Sequence, residues 1–257
     1  MTDYAPNAIL TSREDINDEL AVFRVRSESG APLLYVPGQY AELALPVPEG
    51  STEKPERRSY SIASAPKNGG DLEFYIVRVN GGYLTPRLWD MRPGDRIWLG
   101  PKIKGKFTLD ETPAGADLIM IATGTGLAPF LSMLREHRED PRWRNVALIH
   151  GARFERDLGY RAELERYQAE HPWFHYIPSL TRDLENETWT GPRGRVQSLF
   201  TSGLVESKIG ALTKESSHFL LCGNPQMIDD VQALLEGRGF AIHKKKAPGN
   251  IHVERYW

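Results

Sequence analysis

The apolar residues of this 257-residue chain change their pattern once, near residue 110, and a single change of that kind calls for two folding units. Before it, from about Ala8 to Leu109, short runs rich in β-branched and aromatic residues lie between Gly and Pro turns. They are Leu20 to Arg26, Gln39 to Leu45, Leu72 to Val79 and Asp95 to Leu99, and strands at this spacing suggest an antiparallel barrel. Within Tyr83 to Met91 the spacing of Leu84, Leu88 and Met91 predicts one short helix. After Pro113 the pattern becomes strand and helix in turn. Strand candidates are Leu118 to Ala122, Val146 to His150, Phe174 to Pro178 and His218 to Cys222. Helical stretches fall at Pro129 to His137, Gly159 to Ala169, Val196 to Ser202 and Pro225 to Gly237, which predicts a doubly wound parallel sheet. The polar segment Asp183 to Gly194 reads as a connection. The expected class is therefore β followed by α/β, with domains at 1–110 and 111–257.

Composition removes several alternatives. Apolar residues at 40% and charged residues at 26% are those of a globular protein. Cys222 stands alone, so an internal disulfide and a thiolate-held zinc or iron-sulfur centre are excluded and no metal site is expected. The longest apolar runs, Leu118 to Ala122 and Phe219 to Leu221, fall far short of the roughly 20 residues of a membrane span. Met1 to Leu10 lacks a basic region followed by an apolar stretch, and a cytoplasmic protein that engages no membrane is expected. A net charge of −2 gives no footprint for nucleic acid; the basic run His243 to Lys246 reads as a solvated loop, with a docking patch for an acidic partner as the sharper alternative.

The second unit opens on Leu118-Ile-Met-Ile-Ala-Thr-Gly-Thr-Gly-Leu-Ala-Pro-Phe130, a buried strand running through Gly124 and Gly126 into a helix expected to start at Pro129. Glycines let the backbone approach a pyrophosphate, and a helix N-terminus offers free N–H groups. Pro129 stands where the dinucleotide fingerprint has its last glycine, so the segment is also compatible with a tight turn that binds nothing. Arg153 follows the second predicted strand, Arg182 the third, and Arg195 comes shortly after. Three arginines can collect on the rim of a parallel sheet, where guanidinium suits a 2′-phosphate, and this set favours NADPH over NADH.

The first unit carries Arg57-Arg58-Ser59-Tyr60-Ser61 and Gly81-Gly82-Tyr83-Leu84-Thr85. Arginine neutralises a pyrophosphate, a tyrosine ring offers a flat apolar face, and a serine hydroxyl both donates and accepts, which are the needs of a flavin nucleotide. Taken alone, Arg-x-Tyr-Ser reads as an ordinary strand. The first turn of the helix near Tyr83, with Thr85, offers backbone N–H groups to the same pyrophosphate.

Arg58-Ser-Tyr-Ser61, Gly82-Tyr-Leu-Thr85, Thr123-Gly-Thr-Gly-Leu-Ala-Pro129 and Cys222-Gly-Asn-Pro-Gln-Met227 occur in the order found in ferredoxin-NADP reductases, and the chain resembles that family over essentially its whole length. The segments His150 to Phe154, Ser217 to Met227 and the ending Glu254-Arg-Tyr-Trp257 are similar to the bacterial reductases that serve ferredoxin or flavodoxin. The resemblance implies a six-stranded flavin-binding barrel and an NADP-binding sheet domain. It assigns FAD to Arg58, Ser59, Tyr60, Ser61, Tyr75, Ile76, Val77, Gly82, Leu84, Thr85 and Thr125, with Tyr60 against the isoalloxazine and Ser61 near its N5. Tyr256 is implied to cover the other flavin face, Trp257 the adenine, and Glu254 to steady the one-electron flavin or relay a proton. NADP falls to Thr123, Gly124, Arg153, Arg182, Arg195, Cys222, Gly223 and Asn224. The connection before Arg195 contains Pro192-Arg193, which leaves Arg193 and Arg195 as rival phosphate ligands, with Arg195 preferred. Ser61, Cys222 and Glu254 are the expected catalytic positions, none of them an obligatory nucleophile.

The expected reaction moves a hydride from NADPH to FAD and then single electrons to ferredoxin or flavodoxin, in a monomer. Lys102, Lys104, Lys106 and Lys244 to Lys246 are the candidate docking cations. Two other readings share the pattern: the reductase component of an oxygenase or a flavin reductase, and a flavin-binding module with no catalysis.

Overall fold

The computed structural model describes residues 4–30, 33–47, 56–139 and 142–255, and these form two compact units. One joins the chain up to Leu109 with the segment Ala128–Arg138; the other joins Asp110–Leu127 with the chain from Glu139 onward.

The first unit contains β1 (Ala8–Asn17), β2 (Leu20–Ser27), β3 (Tyr40–Ala44), β4 (Arg57–Ser61), β5 (Leu72–Val77) and β6 (Arg96–Leu99), in the order β4-β3-β6-β1-β2-β5. Every pairing is antiparallel. A bridge between Ile62 and Phe74, with Ala63 N–H donating to the Glu73 carbonyl at 2.8 Å, joins the two ends of that order and closes the barrel. Alternation along β5 sends Phe74 and Ile76 into a core with Leu10, Phe23, Leu43 and Ile97. Helix α1 (Leu84–Asp90) adds Leu84 and Leu88 to the same core, as its spacing predicts. Burying each of these large side chains contributes about 1.5–3 kcal/mol, set against the cost of ordering the chain. Helix α2 (Ala128–Glu136) also belongs to this unit: Phe130 packs on Phe107 with ring centroids 5.8 Å apart, and Ser132 Oγ donates to the Ser64 carbonyl at 2.6 Å.

The second unit is a parallel sheet of β7 (Asp117–Thr123), β8 (Asn145–Ala152), β9 (Phe174–Leu180), β10 (Ser217–Cys222) and β11 (Ile251–Glu254), in the order β11-β10-β7-β8-β9. Helices α3 (Arg161–Glu170), α4 (Gln197–Thr201), α5 (Leu204–Ile209) and α6 (Pro225–Gly237) connect its strands. Ile119, Ile121, Ile149, Phe219 and Leu221 pack with Phe200, Val231 and Leu235 into one core. Strand β7 is the turning point: β8 and β9 extend the sheet to one side and β10 and β11 to the other. Connections leaving β7 and β10 therefore diverge, and ligands of such sheets bind in the crevice beyond those strand ends.

Three elements go beyond the sequence reading. Strand β1 carries the charged run Arg13 to Asp15 and is held by pairing along β2, while α5 is only 6 residues long. The four-residue β11 pairs Phe219 to Cys222 of β10, so tertiary pairing makes it a strand. Among the described residues no helix is long and apolar enough to cross a membrane.

Candidate functional site

In the first unit the candidate residues line a split in the barrel. Strand β4 pairs with β3, and β5 pairs with β2; between themselves the two are bridged just beyond β4, at Ile62 and Phe74. Continuing that antiparallel register places Tyr60 across from Ile76, a pair that no bridge joins among the described residues. Tyr60 is half-buried, its ring tilted edge-on to Phe74 at 6.5 Å. Its buried hydroxyl oxygen has no hydrogen-bond partner among the described residues, and burial pushes the phenol pKa up. An unsatisfied buried hydroxyl costs about 1–3 kcal/mol, and a ligand group can relieve that cost. Ser61 is buried opposite Tyr40, while Arg58 and Ser59 stay exposed. Arg58 donates to the Arg57 carbonyl at 2.9 Å and pairs with Glu56.

Along β5, Tyr75 and Ile76 are buried and Val77 is half-buried. The chain then turns at Val79, whose carbonyl accepts from Gly82 N–H at 2.9 Å and whose N–H donates to Thr85 Oγ1 at 2.9 Å. Leu84 lies in the core and Thr85 Oγ1 serves the turn, so what Gly82 to Thr85 can offer a phosphate is backbone.

In the second unit the turns after β7 and β10 are knitted together at the crevice. Gly124 adopts φ 54°, which ends β7 and starts a 3₁₀ turn, Gly124–Leu127, that carries Thr125. Helical winding thus begins at Gly124 and α2 at Ala128, ahead of the expected start at Pro129. A methyl group on Gly126 would sit 2.3 Å from the Cys222 carbonyl oxygen. Gly223, at φ 135°, has room for no side chain either: a Cβ there would meet Thr123 Oγ1 at 2.4 Å. Thr123 Oγ1 accepts from Asn224 N–H at 2.8 Å, and Asn224 Oδ1 accepts from Gln226 N–H at 2.9 Å and caps α6. Two glycines without space for a Cβ, below a helix N-terminus, form a cradle suited to a pyrophosphate or a flat ring.

The three arginines gather on the rim of this sheet. Arg153 directly follows β8, and its carbonyl accepts from Arg182 N–H at 2.9 Å, which ties the ends of β8 and β9. Gly194 N–H donates to Leu180 O at 2.8 Å and brings Arg195 to the same edge. All three side chains are exposed; Arg153 faces Asp157 at 3.6 Å and Arg195 faces Asp230 at 3.6 Å. Arg193 is used differently: its guanidinium donates to the carbonyls of Asp183, Asn186 and Trp189 inside the connection.

Cys222 is fully buried and stands in register with Ala122 on one side and Glu254 on the other, so the two polar candidates of this unit are lateral neighbours. One Glu254 carboxylate oxygen is buried with no hydrogen-bond partner among the described residues, and burial raises the group's pKa to about 7. Ser61, the third expected catalytic position, belongs to the other unit. Tyr256 and Trp257 lie outside the described residues. Of the docking cations, Lys104 is paired with Glu42 at 2.8 Å, while Lys102, Lys106 and Lys244 to Lys246 are exposed.

Sequence reasoning passes over Asp230, the carboxylate facing Arg195 and bonded to Gln197 at 2.8 Å and Gln226 at 2.7 Å. Its place six residues after the Asn224 cap, on the second turn of α6, is the signal that could have found it.

Comparison with known proteins accounts for both units. Residues 7–107 match the oxidoreductase FAD-binding domain family, and residues 120–233 match the oxidoreductase NAD-binding domain family. A flavodoxin/ferredoxin–NADP reductase of Escherichia coli is 38% identical over 88% of this chain and 90% of its own length. A ferredoxin–NADP reductase of Pseudomonas aeruginosa is 32% identical over 93% of this chain and 92% of its own. The crystal structure of a ferredoxin NADP+ reductase from Neisseria gonorrhoeae with bound FAD and NADP superposes with a TM-score of 0.86 at 29% identity, covering 98% of both chains. With a barrel, a doubly wound sheet and relatives matched almost end to end, the chain belongs to the flavodoxin/ferredoxin–NADP reductase family.

Proposed function

We propose that the chain binds FAD at the split between β4 and β5 and NADP(H) at the crevice between β7 and β10, and passes electrons between NADPH and ferredoxin or flavodoxin. The observation that carries this reading is the pairing, in one chain, of an orphaned tyrosine hydroxyl in the barrel split with a glycine cradle below an arginine rim. Relatives from Escherichia coli and Pseudomonas aeruginosa with the corresponding names support the choice of carrier.

When bound, FAD supplies the chemistry that converts a two-electron hydride into single electrons. The residues of this chain bind and orient. Arg58 is exposed on β4 and places its guanidinium where a pyrophosphate can meet it, and Gly82 to Thr85 add backbone N–H groups. The Tyr60 ring offers a flat face, and its hydroxyl and that of Ser61 offer hydrogen bonds to the isoalloxazine edge. Gly126 and Gly223 let the turn that carries Thr125 and the end of β7 at Thr123 approach the Cys222 to Asn224 turn, whose backbone can face a flat nicotinamide. Arg153, Arg182 and Arg195 supply the positive rim that a 2′-phosphate requires. The buried Glu254 carboxyl titrates at about 7, so near neutral pH it can both take up and release a proton.

An absorption spectrum of the purified protein followed by anaerobic titration tests the reading. A yellow protein bleached by one equivalent of NADPH, and far less readily by NADH, is expected. A colourless protein that takes up no FAD defeats it.

A further inference from the structure

Arg193 is the rival of Arg195 for the phosphate, and its surroundings give it another task. Its planar fork reaches three carbonyl oxygens of one connection: Asp183, Asn186 at 2.6 Å and Trp189 at 3.3 Å. The same connection is closed by Trp189 Nε1 donating to the Pro192 carbonyl at 3.0 Å, with the Trp189 ring buried among Leu158 and Leu180. On either side of this knot the backbone is fastened to the sheet. Leu180 N–H donates to Pro192 O at 3.2 Å and Ser179 Oγ to Gly194 O at 2.8 Å. Upstream, Arg182 N–H donates to Arg153 O at 2.9 Å; downstream, Ser198 Oγ donates to Arg195 O at 2.7 Å. The knot thus sits between two rim arginines and fixes the backbone that presents each of them.

We infer that Arg193 is a positioning residue for recognition of the 2′-phosphate: it touches no ligand, but fastens the 183–194 connection so that Arg182 and Arg195 are held ready at the rim. The inference rests on the proposed NADP site. Without the guanidinium, the three carbonyls turn to water, which satisfies each one separately and no longer ties Asp183, Asn186 and Trp189 together. Arg182 and Arg195 then have to be ordered when the nucleotide arrives, which weakens binding without removing either charge. Lysine cannot substitute, because one ammonium lacks the flat fork that spans separated acceptors.

The test is calorimetric titration of FAD-loaded wild type, R193K, R193Q and R195A with 2′,5′-ADP and, separately, with 5′-AMP, which lacks the 2′-phosphate. R193K and R193Q should both weaken 2′,5′-ADP by about tenfold and leave 5′-AMP unchanged. Binding of 5′-AMP also reports that the unit is folded, and R193K carries the test where R193Q is unstable. Wild-type affinity in R193K beside a loss in R193Q would make Arg193 a direct ligand and overturn the inference. Unchanged binding in both variants overturns it too, as does an equal loss for both nucleotides, which marks mere structural damage. A wild type that does not prefer 2′,5′-ADP, together with an R195A variant that behaves like it, removes the NADP reading itself and is recognisable as that separate failure.

Discussion

The barrel split and the sheet rim, the two regions proposed to bind nucleotide, are built on opposite terms. At the split, polar side chains lie outside the core: Arg58 is exposed and pairs with its chain neighbours Arg57 and Glu56, and the Tyr60 hydroxyl is buried without a partner among the described residues. At the rim and crevice, nearly every motif residue is already spoken for by the protein. Thr123 accepts from Asn224, Asn224 caps α6, Gly126 and Gly223 press on backbone, and Arg193 ties a connection. On the proposed reading, one region therefore recognises with side chains that contribute little to folding, whereas the other recognises with a backbone whose shape its side chains maintain. Substitutions should separate accordingly into losses of cofactor and losses of fold.

The largest effect belongs to the crevice. Gly126→Ala puts a methyl group 2.3 Å from a backbone oxygen, an overlap no rotamer can relieve. It should lower unfolding free energy by about 3 kcal/mol, at the upper end of overpacking costs, as read from denaturant titration. A stability within error of wild type would erase the contrast between the regions. Arg58→Ala is the counterpart at the split. The apoprotein should lose less than about 0.5 kcal/mol, because the side chain is exposed. FAD affinity should fall by about 2 kcal/mol, the scale of hydrogen bonds to a charged group. Fluorescence recovery on flavin release measures the affinity, and an unfolding midpoint that drops with it would place Arg58 in the wrong class.

How far each region could be read in the sequence follows from the same contrast. Alternating and helical periodicities are local, so β2, β5, α1 and the four longer parallel strands are legible in the order of residues alone. Glycine and arginine motifs are also local, and they point to both proposed nucleotide regions. What remains hidden depends on partners distant in the chain. Strand β11 exists because β10, far upstream, pairs with it, and Glu254 gains its raised pKa from burial that its neighbours in sequence do not reveal. Nor does any spacing tell that Arg193 points into its own connection while Arg195 points out, since both follow the same Gly- and Pro-rich run. Residue type names the chemistry available; tertiary contacts decide which copy is free to use it.

Two smaller changes sharpen the comparison. Thr123→Ala removes the acceptor for Asn224 N–H and should cost about 1 kcal/mol, with Thr123→Ser recovering most of it, because the hydroxyl rather than the methyl joins the two turns. Equal losses in both variants would credit the methyl instead.

Glu254→Gln should have the smallest effect on stability, and its sign is set by burial. The carboxyl titrates near 7 in the folded chain and near the ordinary 4.5 when unfolded, so the folded state holds the proton more tightly. Glu254's contribution to stability is therefore fully present below about pH 4.5, shrinks as pH rises, and is lost once pH passes about 7. Gln carries no proton to lose, so the variant's unfolding temperature should fall less than that of wild type between those two pH values. Partial exposure of the side chain lets solvent screen the charge, which keeps the difference modest. Thermal scans across that window decide it: parallel pH profiles would show that the buried oxygen is satisfied, and would return the second unit to a region with no unspent polar group at its crevice.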